Sequence, residues 1–480
     1  MPQLPPLVIS AFEGMNRAVP YHLAKDSELD LCINANAALI GAKTKRPPYA
    51  TYLDNPDSSK VQALYFWLKA DGTKMLFRVS NGVIYRQTIG TDATWQSVET
   101  GLTDTRTGIA TLNGKTFFST GEDPMIYTAD GAAFVEVTAG TPPRPKFLTV
   151  FQGRLQGAAS STEVSTQDSL TGPSSIYFSR VNDGTDWNID LNDPSAAGFA
   201  YIDPDSNGRI NGFHKALNRE MIFKQSALYR YDGTTVSDLN LITTTSGYSV
   251  ASLKDFLIFL NQDGVWGYSG TTPDIISVAI KDIIASLDGD ELVDASAAVY
   301  KREWFCSVGA VTIDGIVIDN CVLHLDFDNA MWHIYSFAHK PTAWVTFRDA
   351  DNNEQLLFGD EDGQCYLWDS GDDGDAGTPI EMLVRTHNYD DSLPENPKQY
   401  DSCYIEAEPS AGLIAQFSVD DGNWYELGEV NEPITKFTFP KGVTGAWHKR
   451  IKFSFVHNET VGRPVIKRIK VYRSINEQPF

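Results

Sequence analysis

Lys74-Met75-Leu76-Phe77-Arg78-Val79, followed after Ser80 by Asn81-Gly82-Val83-Ile84-Tyr85, is the stretch on which the reading of this 480-residue chain turns. A hydrophobic run meets Asn-Gly, the pair that a two-residue type I′ turn demands because both central residues take positive φ. A second apolar run carrying an aromatic then follows. Such a segment reads as a β-hairpin.

The same unit recurs along the chain. It appears as Thr116-Phe117-Phe118-Ser119 with Met125-Ile126-Tyr127, and as Met221-Ile222-Phe223-Lys224 with Ala227-Leu228-Tyr229. Further copies are Phe256-Leu257-Ile258-Phe259 with Asp263-Gly264-Val265-Trp266, and Gln355-Leu356-Leu357-Phe358 with Asp362-Gly363-Gln364-Cys365-Tyr366. The markers Tyr85, Tyr127, Tyr177, Tyr229 and Trp266 stand 37 to 52 residues apart, close to the ~40–50 residues of a four-stranded propeller blade. A blade alone leaves both faces exposed, and radial stacking covers them and shields the edge strands. The expectation is an all-β protein with a β-propeller over residues 50–375 and room for roughly six to eight blades.

Two flanks differ. Residues 1–49 read as an irregular, Pro-bounded N-terminal extended arm with a basic cluster at Lys43, Lys45 and Arg46. After the acidic stretch Asp369-Ser370-Gly371-Asp372-Asp373-Gly374-Asp375, read as a solvated hinge, residues 376–480 alternate polar and apolar. Gln416-Phe417-Ser418-Val419, Lys436-Phe437-Thr438-Phe439, Arg450–Phe455 and Arg468–Tyr472 have the period of half-buried strands, so a C-terminal antiparallel β-sandwich-like domain is expected.

Composition narrows the function. Apolar residues make up 42% and aromatics 11%, with 37 Gly and 24 Pro, which points to short strands joined by tight turns. A net charge of −23 repels a nucleic-acid backbone. Cys32, Cys306, Cys321, Cys365 and Cys403 are odd in number and lack zinc spacing, so they read as reduced thiols of a protein made in a cytoplasm. Met1-Pro2-Gln3-Leu4-Pro5-Pro6 has no basic n-region, and no apolar run is long enough to span a membrane as a helix; no secretion signal or membrane partner is expected.

Asp203-Pro204-Asp205-Ser206-Asn207-Gly208-Arg209-Ile210 matches the first half of an EF-hand loop, but position twelve falls on His214 where a bidentate Glu is needed. No metal is assigned there. Asn182-Asp183-Gly184-Thr185-Asp186-Trp187 and Ser418-Val419-Asp420-Asp421-Gly422-Asn423-Trp424 echo the Asp-box turn of sialidases, which is a structural turn even in those enzymes. Glycosidase chemistry needs two carboxyl groups at a set separation, and 62 acidic residues make their mere presence uninformative. His324, His333 and His339 come nearest to a histidine cluster, but they sit on segments that read as paired strands. No GxSxG, HExxH, P-loop or GxGxxG at a strand-to-helix junction occurs. No catalytic, cofactor or metal residue is assigned, and the expectation is a non-enzyme.

Three stretches resemble the β-propeller nozzle or hub proteins in the tails of short-tailed bacteriophages, the group that includes packaged-DNA stabilisation proteins and tail tubular protein B. They are Phe12-Glu13-Gly14-Met15-Asn16 with Asp26-Ser27-Glu28-Leu29, Asn34 and Arg46-Pro47-Pro48-Tyr49; Phe151-Gln152-Gly153-Arg154-Leu155; and Gly208–Phe213 continuing through Met221–Gly233. Glu13 and Pro48 stand where that family more often has glycine. The resemblance implies a virion protein forming a ring, commonly sixfold, below the portal and adaptor proteins, carrying tail fibres or spikes. Genomic DNA would be retained and then pass through without specific binding, and an acidic lumen would minimise phosphate contacts. The alternatives are a propeller that binds or hydrolyses host-surface carbohydrate, and a cellular propeller scaffold.

Overall fold

The computed structural model describes residues 5–38, 41–54, 56–160, 174–203, 208–225, 227–239, 242–254, 256–371 and 374–476. Seven four-stranded antiparallel blades follow one another around a ring, six of them separate sheets and one part of a larger sheet. The first runs through Val61–Leu68, Lys74–Ser80, Val83–Thr88 and Gln96–Glu99, and the second from Gly108–Leu112 to Val135–Glu136. The third extends from Pro145–Phe151 to Gly198–Tyr201, the fourth from Ile210–Ala216 to Val236–Asp238, and the fifth from Ala251–Leu253 to Asp274–Ile275. The sixth comprises Ser296–Tyr300, Glu303–Ile313, Ile316–Asp326 and Met331–Ser336.

The seventh blade closes the wheel. Ala343–Arg348, Glu354–Gly359 and Cys365–Trp368 supply three strands, and the fourth is Tyr49–Tyr52 from the other end of the chain. Its register pairs Tyr49 with Trp368 and Tyr52 with Cys365. A chain-end strand completing the last blade removes an open edge that would otherwise invite foreign pairing.

Alternation explains why the blades stack. In Lys74–Ser80, Met75, Phe77 and Val79 join Phe118 of the second blade, while Leu76 faces Leu357 and Phe347 of the seventh. Successive side chains point to opposite faces of a strand, so one apolar strand serves two neighbours. The pattern repeats at every interface. Phe117 and Leu155 join blades two and three, Ile176 and Ile222 blades three and four, and Phe223 and Phe259 blades four and five. Leu260 and Trp304 join blades five and six, and Phe305 and Phe358 blades six and seven. Seven interfaces, each with its own apolar cluster, close the ring.

The markers Tyr85, Tyr127, Tyr177, Tyr229, Trp266 and Tyr366 all lie on the third strand of their blades. Asn81-Gly82 has φ of 53° and 65°, the type I′ values. Asp263-Gly264 departs from expectation, because Asn261 pairs with Gly264 and the turn is Gln262-Asp263, one residue earlier.

The propeller does not end at a hinge. Beyond Met331–Ser336 the sixth blade continues through Leu29–Ile33, Met382–Thr386, Ile451–His457, Ile414–Val419 and Tyr425–Glu429 into one nine-stranded sheet. A six-stranded sheet packs over that extension, with Val465–Ile475, Lys398–Glu408 and Ile434–Thr438 joined by Leu7–Ser10, Ala35–Ala37 and Lys43–Lys45. Ile9, Leu31, Cys403, Phe417, Phe455 and Val471 share its core. The N-terminal segment is therefore woven into both sheets rather than extended as an irregular arm. Its strands of three to five residues have too little periodicity to be seen alone and take their conformation from distant partners.

Candidate functional site

The basic cluster predicted on an arm lies in the interior of the fold. Lys43, Lys45 and Arg46 are 0%, 2% and 0% exposed. They occupy the seam where the N-terminal segment meets the sixth blade, the seventh blade and the sandwich, and each solves its desolvation differently.

Arg46 uses all five donors. Its Nε donates to Asn34 Oδ1 at 2.8 Å, Nη1 to Asp375 Oδ1 at 2.8 Å and to Pro47 O, and Nη2 to Ser336 O at 2.9 Å and to Asp375 Oδ2. The guanidinium also lies 4.7 Å from the centre of the Phe337 ring. A buried charge needs this degree of pairing, since desolvation otherwise costs several kcal/mol. Asp375, the last residue of the stretch read as a solvated hinge, is thus an interior counterion; Asp372 and Asp373 lie outside the described residues. Asn34, at φ 53°, also accepts from Ser336 N–H and donates to Glu381 O, which ties both ends of the chain to the sixth blade.

Among the described residues Lys43 has no carboxylate within ion-pair distance. Its Nζ meets His333 Nε2 at 3.0 Å and Met331 Sδ at 3.7 Å, and burial lowers its pKa. His333 and His324 face each other across paired strands with Nδ1 atoms 3.2 Å apart, and Glu303 Oε2 stands 3.3 Å from His324 Nε2 without hydrogen-bond alignment. If Lys43 donates to Nε2, His333 carries its proton on Nδ1 and gives it to His324. Burial and then the Lys43 charge hold His333 well below the usual histidine range. Lys45 repeats the theme with His457 Nδ1 at 3.2 Å, and burial brings its own pKa down to about 8. His339 is elsewhere, bonded to the Tyr49 hydroxyl. The candidate histidines His324, His333 and His339 therefore divide into a buried pair and a separate closure contact.

The remaining candidates are structural joints. Asp203 accepts from the Tyr229 hydroxyl at 2.7 Å, and its carbonyl and that of Ile202 receive Lys224 Nζ. Pro204, Asp205, Ser206 and Asn207 lie outside the described residues. His214 sits on an inner strand beside Ser252 Oγ, where burial lowers its pKa to about 4. In the first Asp-box-like turn Asp183 Oδ1 accepts from Thr185, and Trp187 Nε1 donates to Gly184 O. In the second, Asp420 accepts from the backbone N–H groups of Lys449 and Arg450. All five cysteines are buried and unbridged, with thiols pushed up by burial, Cys365 and Cys403 to about 12. Among the described residues no group of three or more His, Cys, Asp or Glu has metal-holding geometry.

Glu220 has the environment of a general acid without the access. Burial raises its carboxyl to about 8, yet it is 0% exposed within the fourth blade. A substrate cannot reach it. Residues from all seven innermost strands meet around a cavity of about 250 Å³ at the propeller axis, partly filled by Arg106, Tyr248 and Trp344. Arg106 is held there by the carbonyls of Thr342 and Asp294 and by the Tyr248 ring, 4.8 Å away. Arg106 thus spans the axis at this level, from the second blade to the start of the seventh and the segment before the sixth.

The geometry defines a seven-bladed β-propeller fused through its sixth blade to a β-sandwich. No protein-family model and no curated protein matches the chain. Among solved structures it is similar to BamB from Moraxella catarrhalis, at 11% identity and a TM-score of 0.41 over 70% of this chain and 90% of that one. It is similar also to BBS1N in complex with ARL6DN, at 12% identity and 0.43 over 67% and 97%. The N-terminal domain of Nup159 gives 7% identity and 0.40 over 70% and 98%. These likenesses carry no functional argument, and the propeller is read from its own sheets.

Proposed function

We propose that this chain is a non-enzymatic structural subunit of a short-tailed bacteriophage tail, a nozzle or hub component that assembles as a homo-oligomeric ring below the portal and adaptor. The observation that carries the reading is where the family-like residues fall. Asn34, Arg46 and Tyr49 form the seam that closes the wheel, Gln152-Gly153 is a blade turn, and Phe223–Tyr229 builds the fourth blade. These residues sit at joints of a rigid body, not around a cleft.

The propeller axis, spanned by Arg106, supports placing any DNA passage between subunits. A chain of net charge −23 lining such a passage would leave phosphates few partners and let DNA slide. Incubating purified chain with portal–adaptor complex and weighing the products by native mass spectrometry tests the reading. Several copies, six by expectation, should join one complex; a chain that stays monomeric and unbound contradicts it.

A further inference from the structure

At one mouth of the propeller axis, where innermost strands begin, the second to fifth blades surround an open funnel of about 1060 Å³. That is large enough for an oligosaccharide-sized guest. Its wall is polar, with Thr105, Thr120, Thr243 and Thr245 among the hydroxyl groups and amides from Asn211 and Gln262. Its charge is unusual for so acidic a chain. Lys146 and Arg209 both reach the funnel, and neither forms an ion pair with a carboxylate of the described residues. Lys146 instead points over the rings of Phe147 and Tyr248, whose other neighbour is the buried Arg106 guanidinium.

Lys146 is exposed on the funnel wall, and its pKa is lowered by burial and then by repulsion from Arg106, with Asp294 opposing the shift and Arg209 adding to it. Lys146 and Arg209 thus share one polar basin, with Arg106 behind it, and Asp294, the carboxylate that acts on Lys146, is itself paired with Lys60 at 2.8 Å. Glu122 and Asp263 reach the rim from exposed outer turns and pair with none of them. The Tyr248 hydroxyl between funnel and axis is buried with no hydrogen-bond partner among the described residues. Like charges that share a basin repel each other until an anion joins them.

We propose that this funnel is a binding site for an anionic saccharide, its carboxylate seated between Lys146 and Arg209 and its hydroxyls on the threonine-rich wall. The proposal does not rest on the tail reading, because the site lies within one subunit. Isothermal titration of the full chain with trigalacturonic acid, maltotriose and inorganic phosphate at matched ionic strength tests it. Trigalacturonic acid should bind, with maltotriose and phosphate at least tenfold weaker. Lys146→Gln and Arg209→Gln, both at exposed positions, should each weaken binding about tenfold, and Lys254→Gln, away from the funnel, should not. No binding of trigalacturonic acid, equal binding of maltotriose or phosphate, or unchanged affinity in both funnel variants would overturn the assignment.

Discussion

Arg46 and Asp375 are 329 residues apart in sequence, yet they form a two-pronged ion pair inside the protein with both side chains almost wholly removed from water. The pair locks the N-terminal segment to the end of the seventh blade at the point where the wheel closes. Removing one member strands the other, and buried charges left alone cost on the order of 3–5 kcal/mol. Asp375→Asn and Arg46→Met should each lower the unfolding free energy measured in urea by that amount. Arg46→Lys should not rescue it, since an ammonium has three donors where five are used.

Tyr49 makes the closure aromatic as well as ionic. Its ring packs against Phe337, Phe358 and Tyr366 at 4.9 to 5.3 Å, and its hydroxyl accepts from the His339 backbone N–H. Tyr49→Ala should destabilise by about 3–5 kcal/mol. Limited proteolysis should then cut first at the seventh blade rather than at blades two to four.

Acid should loosen the fold through its buried histidines. His214 is held near 4 by burial, and His333 and His457 are also lowered. A histidine depressed in the folded state stays neutral while the unfolded chain takes up protons below about 6.5, so stability is full above that pH and falls as pH drops. For His214 the loss between pH 6.5 and 4 is roughly 3 kcal/mol. Denaturation at pH 7.5 and 5.0 should show this slope, and His214→Asn should flatten it.

Glu220 has the opposite sign. Its carboxyl is raised to about 8 by burial, so the folded chain holds a proton that the unfolded chain releases above about 4.5. Its stabilising influence is present below that pH and is lost as pH rises through 8. Glu220→Gln should therefore raise the melting temperature more at pH 8.5 than at pH 6. Equal shifts at both would contradict the assignment.

Lys301 and Arg302 form the two-residue turn of the sixth blade with φ of 45° and 64°. Left-handed backbone at a long side chain costs about 1–2 kcal/mol. Lys301→Gly should recover about 1 kcal/mol. Ser80→Gly, in extended strand, should lose stability in the same assay.

The sequence made the blades visible because each carries local signals. Asn81-Gly82 sets a turn, Met75, Phe77 and Val79 alternate with Leu76, and an aromatic marks the third strand. The seam was hidden for a physical reason. Lys43, Lys45 and Asp375 look solvated in any local window, and their burial comes from distant partners: Lys43 from His333, Lys45 from His457 and Asp375 from Arg46. The sixth blade was equally opaque as a junction, since Leu29–Ile33 joins it by a single parallel bridge at Ile33 and Ile334. The funnel cations, spread over Lys146 and Arg209 on separate blades, leave no contiguous motif.

Electron cryomicroscopy of intact particles containing this chain tests the central claim most directly. A ring of copies at the distal end of the tail, each fitting as one rigid propeller–sandwich body with the axis spanned by Arg106 and the passage between subunits, is the expected map. Particles whose tails lack the chain, or a map in which DNA threads the propeller axis of a single copy, would contradict it.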